Sequence, residues 1–139
     1  MKEIDIPAAK ENLPQVMAFV NGQLEQVDCP AGVQSKIGLA VEEIFMNIAS
    51  YAYNSSVGSV LITVDIIDES LDIVISFTDD GTPYDPLSHP DPSLKTPPKE
   101  RKNGGWGIFM AKKMMDDMQY EYTNGRNVLT IRKILNSGK

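Results

Sequence analysis

The segment QSKIGLAVEEIFMNIASYAY, residues 34–53, limits what this chain can fold into more than any other. At helical spacing, Ile37, Leu39, Ala40, Val41, Ile44, Phe45, Met46, Ile48, Ala49 and Ala52 leave almost no polar side. A helix that is apolar nearly all round has to be buried. The rest of the chain must therefore cover it. The preceding stretch KENLPQVMAFVNGQLEQV offers one cover. Its Leu13, Val16, Met17, Val20, Leu24 and Val27 recur every three or four residues, as in an amphipathic helix. Pro14 falls in the first turn, where a missing N–H is tolerated. The residues DCPAG break the chain between the two helices.

A sheet is the other cover. Val60, Ile62, Val64 and Ile66 alternate with other residues, and so do Leu71, Ile73, Ile75 and Phe77. Each run reads as a strand with one apolar face. Asp68-Glu69-Ser70 between them reads as a hairpin turn. EIDI near the start forms a short edge strand. WGIFMAKKMMDDM predicts a third helix, and QYEYT and NVLTIRK predict two closing strands around the turn NGR. The order β-α-α-β-β-loop-α-β-β predicts an α+β fold. It is a two-layer α/β sandwich with a mixed, mostly antiparallel sheet and helices on one face. All 139 residues fit one domain, 1–139.

Charge narrows the partners. The net charge of −6 argues against direct nucleic-acid binding, which wants a basic face. An anionic nucleotide would have to be met through magnesium and backbone amides. Cys29 is the single cysteine, so no internal disulfide forms, which suits a reducing cytoplasm. The N-terminal MKEIDIPAAKENL has no apolar h-region, so no signal peptide is expected, and no apolar run approaches membrane-spanning length.

Three polar features interrupt this plan. Glu43 and Asn47 lie four residues apart on the second helix, one turn apart on one face. Lys36, Ser50 and Asn54 roughly extend the stripe. It is either a solvent-facing strip or a carboxylate and an amide aimed at a ligand. Glu42 lies off the stripe and reads as ordinary surface. The second feature is ISFTDDGTPYDP, where a strand ends in Asp79-Asp80-Gly81. Asp-Gly with prolines is a turn signal, and a turn alone accounts for it. The third is NGGWGIF, in which Gly104, Gly105, Trp106 and Gly107 open the third helix after a long proline-rich loop. Glycines there make either a hinge or a close backbone approach to phosphate at a helix N-terminus. The dinucleotide and Walker glycine motifs are not matched, nor is a calcium loop. His89, the lone histidine, has no arranged nucleophile partner and reads as loop surface.

Taken in order, EEIFMN, DDG and GGWGIF resemble the Bergerat ATP-binding fold of histidine kinases, gyrase-type ATPases and the heat-shock chaperone ATPase domain. NLPQVMAFV, LAVEEIFMNIASYAY, DDGTPYDP and NGRNVLTIRK are similar to its anti-sigma-factor serine/threonine kinase branch along nearly the whole chain. That resemblance implies an ATP-binding protein kinase. It implies that Asp79 accepts a hydrogen bond from the adenine amino group and that Gly81 leaves room for the ring. It implies that Asn47 is the Mg2+ ligand, that Glu43 is the general base, and that Gly104, Gly105, Trp106 and Gly107 lie against the nucleotide. Residues 82–104 would form a lid, with Lys95, Lys99, Arg101 and Lys102 in reach of phosphates. The implied partners are an anti-anti-sigma protein and a sigma factor, with homodimerisation. A nucleotide-binding regulatory module without phosphotransfer is the alternative. The chain departs from relatives at Tyr51, where histidine is frequent, and at Thr82-Pro83, where the wider fold often has a second glycine. Its first helix has little basic character beyond Lys10.

Overall fold

The computed structural model describes residues 1–52, 58–67, 72–88 and 105–135. Its strands are β1 (Lys2–Pro7), β2 (Ser59–Ile67), β3 (Asp72–Asp79), β4 (Asp117–Thr123) and β5 (Arg126–Ile134). Its α-helices are α1 (Leu13–Glu25), α2 (Ala31–Tyr51) and α3 (Gly105–Met114). Short 3-10 turns cover Lys10–Asn12 and Pro86–Ser88.

The strands form one five-stranded sheet in the order β1-β2-β3-β5-β4. Each of its pairings is antiparallel, so the mixed sheet expected from the sequence has no parallel pair among the described strands. α3 carries the chain from β3 out to the edge strand β4, and a hairpin returns β5 to the gap between them. At that hairpin Asn124 and Gly125 both take positive φ, 53° and 76°. Two left-handed residues match the twist of the paired strands, which is why Asn-Gly suits the turn.

One face of the sheet is apolar and one is polar. Val60, Ile62, Ile73, Ile75, Phe77 and Ile131 point inward and are buried. They form a single core with Val16, Val20 and Leu24 of α1, Ile37, Ile44 and Phe45 of α2, and Ile108 and Ala111 of α3. All three helices therefore pack on one face, as expected. On the other face Ser76 and Thr130 pair their hydroxyls at 3.3 Å.

The helices differ from their predicted forms in three ways. α2 begins at Ala31, because the carbonyl of Pro30 already accepts the first helical bond, from Gln34 N–H at 2.9 Å. The expected break at DCPAG is thus the helix start. Leu39 is 53% exposed, so α2 is not covered all round. α3 stops at Met114 rather than running on to Met118. The chain has already entered β4 at Asp117, where Met118 and Tyr120 lie opposite Ile131 and Leu129 of β5. Sheet pairing outweighs helix propensity there. The expected turn at 68–70, Asn54, His89 and the lysines and arginine of the proline-rich loop lie outside the described residues.

Candidate functional site

Asp79 is the last residue of β3 and stands opposite Asn127 of β5. Both side chains lie on the inner face, at one end of the sheet. Asp79 is 5% exposed and Asn127 6%. The carboxylate Oδ1 of Asp79 accepts from Gly81 N–H at 2.8 Å and from Asn127 Nδ2 at 3.0 Å. Among the described residues no hydrogen bond reaches its Oδ2. Burial pushes the Asp79 carboxyl above its usual range; the bonds from Asn127 and Gly81 oppose this, and Asp80 adds to it. Asp80 itself is exposed and pairs with Arg126 at 3.1 Å, an ion pair of little energetic weight.

The turn after Asp79 is tied to the end of α2. Thr82 N–H donates to the carbonyl of Ala52 at 2.8 Å. A Cβ on Gly81 would lie 2.3 Å from that same oxygen. Glycine is required there because the helix end presses on the turn. The family resemblance implies that this glycine leaves room for a ring. The close contact that demands it is with Ala52.

A pocket of about 450 Å³, including its open mouth, lies between α2, the sheet end and the start of α3. Asn47 and Ile48 of α2, Asp79 and Phe77 of β3, Ile108 of α3 and Tyr120 of β4 line it. Its walls are mostly apolar, with the amide of Asn47 and the carboxylate of Asp79 as convergent polar groups. That is the usual make-up of a small-molecule site. Thr82 and Tyr84 are the exposed members of the lining.

Asn47 Nδ2 is buried without a hydrogen-bond partner. A buried, unpaired amide costs about 1–3 kcal/mol. It marks a place built for a further polar group. Half a turn of the amide presents Oδ1 to the same spot, and one amide oxygen is a suitable magnesium ligand. Among the described residues no group of three or more His, Cys, Asp or Glu could hold a metal alone. Asn47 would thus supply one ligand to a magnesium ion, and the others would have to come from water and a bound anion.

Glu43, one turn before Asn47, is half-buried. Burial raises its carboxyl above the usual range, and the neighbouring Glu42 adds to this. Its carboxylate packs on α3: a Cβ on Gly107 would fall 1.9 Å from Glu43 Cδ. Glycine at position 107 is what lets α3 approach α2 this closely. Gly105 is the first residue of α3. Gly104 and the side chain of Trp106 lie outside the described residues. The structure thus brings Asn47 and Asp79 into one pocket, sets Gly81 on the turn beside it, and places Glu43 against Gly107. Glu42 is exposed surface, as expected.

Asn127 was not singled out from the sequence. Its partners Asp79, Thr82 and Tyr84 are 43–48 residues away. The only available signal was an asparagine at an inward position of an apolar strand. Among the described residues no helix is long and apolar enough to cross a membrane.

Residues 6–133 match the histidine kinase-like ATPase domain. Over 136 residues the chain is 24% identical to the serine-protein kinase RsbW of Bacillus cereus strain Q1, covering 95% of this chain and 84% of the relative. It is 24% identical over 144 residues to the RsbW of Bacillus mycoides strain KBAB4, with the same coverage. The crystal structure of the RsbU and RsbW domains of Rv1364c from Mycobacterium tuberculosis superposes with a TM-score of 0.68 at 15% identity. That match covers 97% of this chain and 33% of the longer Mycobacterium chain. The histidine kinase domain of Erythrobacter litoralis EL346 matches at 0.56 and 14% identity, over 94% of this chain and 62% of its own. The family resemblance and the fold read from the sequence are both borne out. The chain belongs to the histidine kinase-like ATPase domain family.

Proposed function

We propose that this protein is an ATP-binding anti-sigma regulatory factor with serine/threonine protein kinase activity. It phosphorylates an anti-anti-sigma protein and, when that partner is phosphorylated, holds a sigma factor. The observation that carries the reading is the shared pocket of Asn47 and Asp79. One brings an unpartnered buried amide and the other a carboxylate oxygen that no hydrogen bond reaches among the described residues. Relatives named as serine-protein kinases, similar over nearly the whole chain, support the activity.

In this reading the adenine ring lies between the apolar walls and its amino group donates to Asp79. Unpaired polar groups in a closed pocket are penalised, so the carboxylate selects its partner. The N–H groups at the start of α3 face the phosphates, where the helix dipole favours negative charge. Asn47 would hold magnesium, which would supply charge neutralisation at the phosphate oxygens. Phosphoryl transfer is mostly positioning and charge neutralisation, and these residues supply both. Glu43 takes the proton of the attacking hydroxyl. A carboxyl raised by burial is better matched to that task near neutral pH than an ordinary one.

The test is transfer of labelled γ-phosphate from Mg-ATP to an anti-anti-sigma protein. Glu43→Ala should keep nucleotide affinity and lose about 10²–10⁴-fold in transfer rate. Equal loss of both would make Glu43 a structural residue. The alternative, a nucleotide-binding module without phosphotransfer, is favoured by one observation. Glu43 packs on Gly107 and is not part of the pocket lining. Wild-type protein that binds ATP and transfers no label would establish it.

A further inference from the structure

Asn127 has no part in the roles above, yet every hydrogen-bonding group it owns is spent at the edge of the pocket. Its Nδ2 donates to Asp79 Oδ1 at 3.0 Å, to the Thr82 carbonyl at 3.1 Å and to the Gly81 carbonyl at 3.3 Å. Its Oδ1 accepts from Tyr84 N–H at 3.1 Å and from the Tyr120 hydroxyl. A backbone N–H can only donate, so Oδ1 must face Tyr84 and Nδ2 must face Asp79. The amide has one orientation. With both hydrogens and both lone pairs engaged, it offers nothing to a ligand. Its effect is on Asp79: together with Gly81 N–H at 2.8 Å it saturates Oδ1. Oδ2 is left for the pocket that Asp79 lines.

We propose that Asn127 is a positioning and specificity-determining residue that fixes Asp79 as a one-sided acceptor. The site thereby takes a purine nucleotide bearing an exocyclic amino group and rejects one with oxygen or hydrogen at that edge. This inference rests on the nucleotide reading above. The amino group donates to Oδ2, and an exocyclic oxygen would meet it lone pair to lone pair. Burial favours protonation of Asp79, and a protonated carboxyl can donate as well as accept. The Asn127 bond works against protonation. Removing Asn127 frees the carboxylate to turn and to take up a proton, so it no longer distinguishes the two edges.

The experiment measures affinity, in magnesium, for ATP and for inosine triphosphate, which has oxygen in place of the amino group. Wild type should prefer ATP by about tenfold or more, the worth of one hydrogen bond to a charged group. Asn127→Ala should bring that ratio to near one while changing affinity for the analogue by less than about threefold. A variant that keeps the wild-type ratio overturns the proposal, and so does equal weakening of both ligands, which a merely structural role would produce. A second measurement needs no variant. In 15N-labelled wild type the Asn127 side-chain amide hydrogens should resist exchange both without and with Mg-ATP. Fast exchange in the bound form overturns the proposal. Wild type that binds both nucleotides equally, or neither, instead removes the adenine reading of Asp79 on which this inference stands.

Discussion

Gly81→Ala separates two explanations of one glycine. A Cβ at position 81 would lie 2.3 Å from the carbonyl oxygen of Ala52 and 2.7 Å from both its carbonyl carbon and its Cβ. Two of these atoms are backbone at the end of α2, so they cannot swing aside like a side-chain tip. Overpacking of this kind costs about 1–3 kcal/mol. Relief requires the turn to lift from the helix, which breaks the Thr82 N–H bond to Ala52 at 2.8 Å. That bond is worth about 0.5–1.5 kcal/mol. Together the loss is about 2–4 kcal/mol. For a domain of this length one kcal/mol moves the midpoint by about 3–5 °C, giving a fall of roughly 6–20 °C. The assay is a thermal melt without nucleotide, followed by circular dichroism. A ligand-free midpoint within about 2 °C of wild type would refute the packing argument. It would return Gly81 to the role read from the sequence, room for a bound ring.

Two further perturbations act on Glu43. Gly107→Ala places a Cβ about 2 Å from the Glu43 carboxylate, which is the flexible end of its side chain. The side chain should swing away for about 0.5–1.5 kcal/mol, so the midpoint falls by only a few degrees while phosphotransfer is lost; retained transfer would contradict the placement of the base. Glu43→Gln tests the raised carboxyl. A carboxyl whose folded-state pKa is raised stabilises the fold below its unfolded pKa of about 4.3, and that contribution is lost as pH rises through the folded value. The variant should therefore melt higher than wild type at pH 8, with the gap closing near pH 4. A gap independent of pH would show that the carboxyl is not perturbed by burial.

Local pattern made the layers legible. The alternating apolar residues of β2 and β3 are buried as their period requires, and Asn-Gly formed its turn without help from afar. What the pattern missed depends on contacts distant in sequence. Leu39 is the exception: it belongs to the apolar run by composition, yet the residues one helical turn from it, Ser35, Lys36, Glu42 and Glu43, are polar, and it is exposed. The MMDDM stretch has helical propensity, and β5 draws its second half into a strand. Within the site, the Glu43–Asn47 spacing and the Asp79 strand end were readable. Asn47 and Asp79 were foreseeable as a pair only through their order along the chain. Asn127 was not readable, because an asparagine on a strand says nothing until the carboxylate it holds is known. The glycines at 81 and 107 were noticed, yet their close contacts are with Ala52 and Glu43, which sequence spacing does not reveal.

The central claim is that the pocket shared by Asn47 and Asp79 binds a magnesium-bound adenine nucleotide. The most direct measurement is the melting midpoint during a titration with Mg-ATP, repeated with Asp79→Asn. A ligand at one hundred times its dissociation constant stabilises the native state by about 2.7 kcal/mol, a rise of roughly 8–13 °C here. The account predicts a saturable rise of that size for wild type, dependent on magnesium, and a much weaker response for the variant. No rise at millimolar Mg-ATP, or the same curve for both proteins, would contradict it.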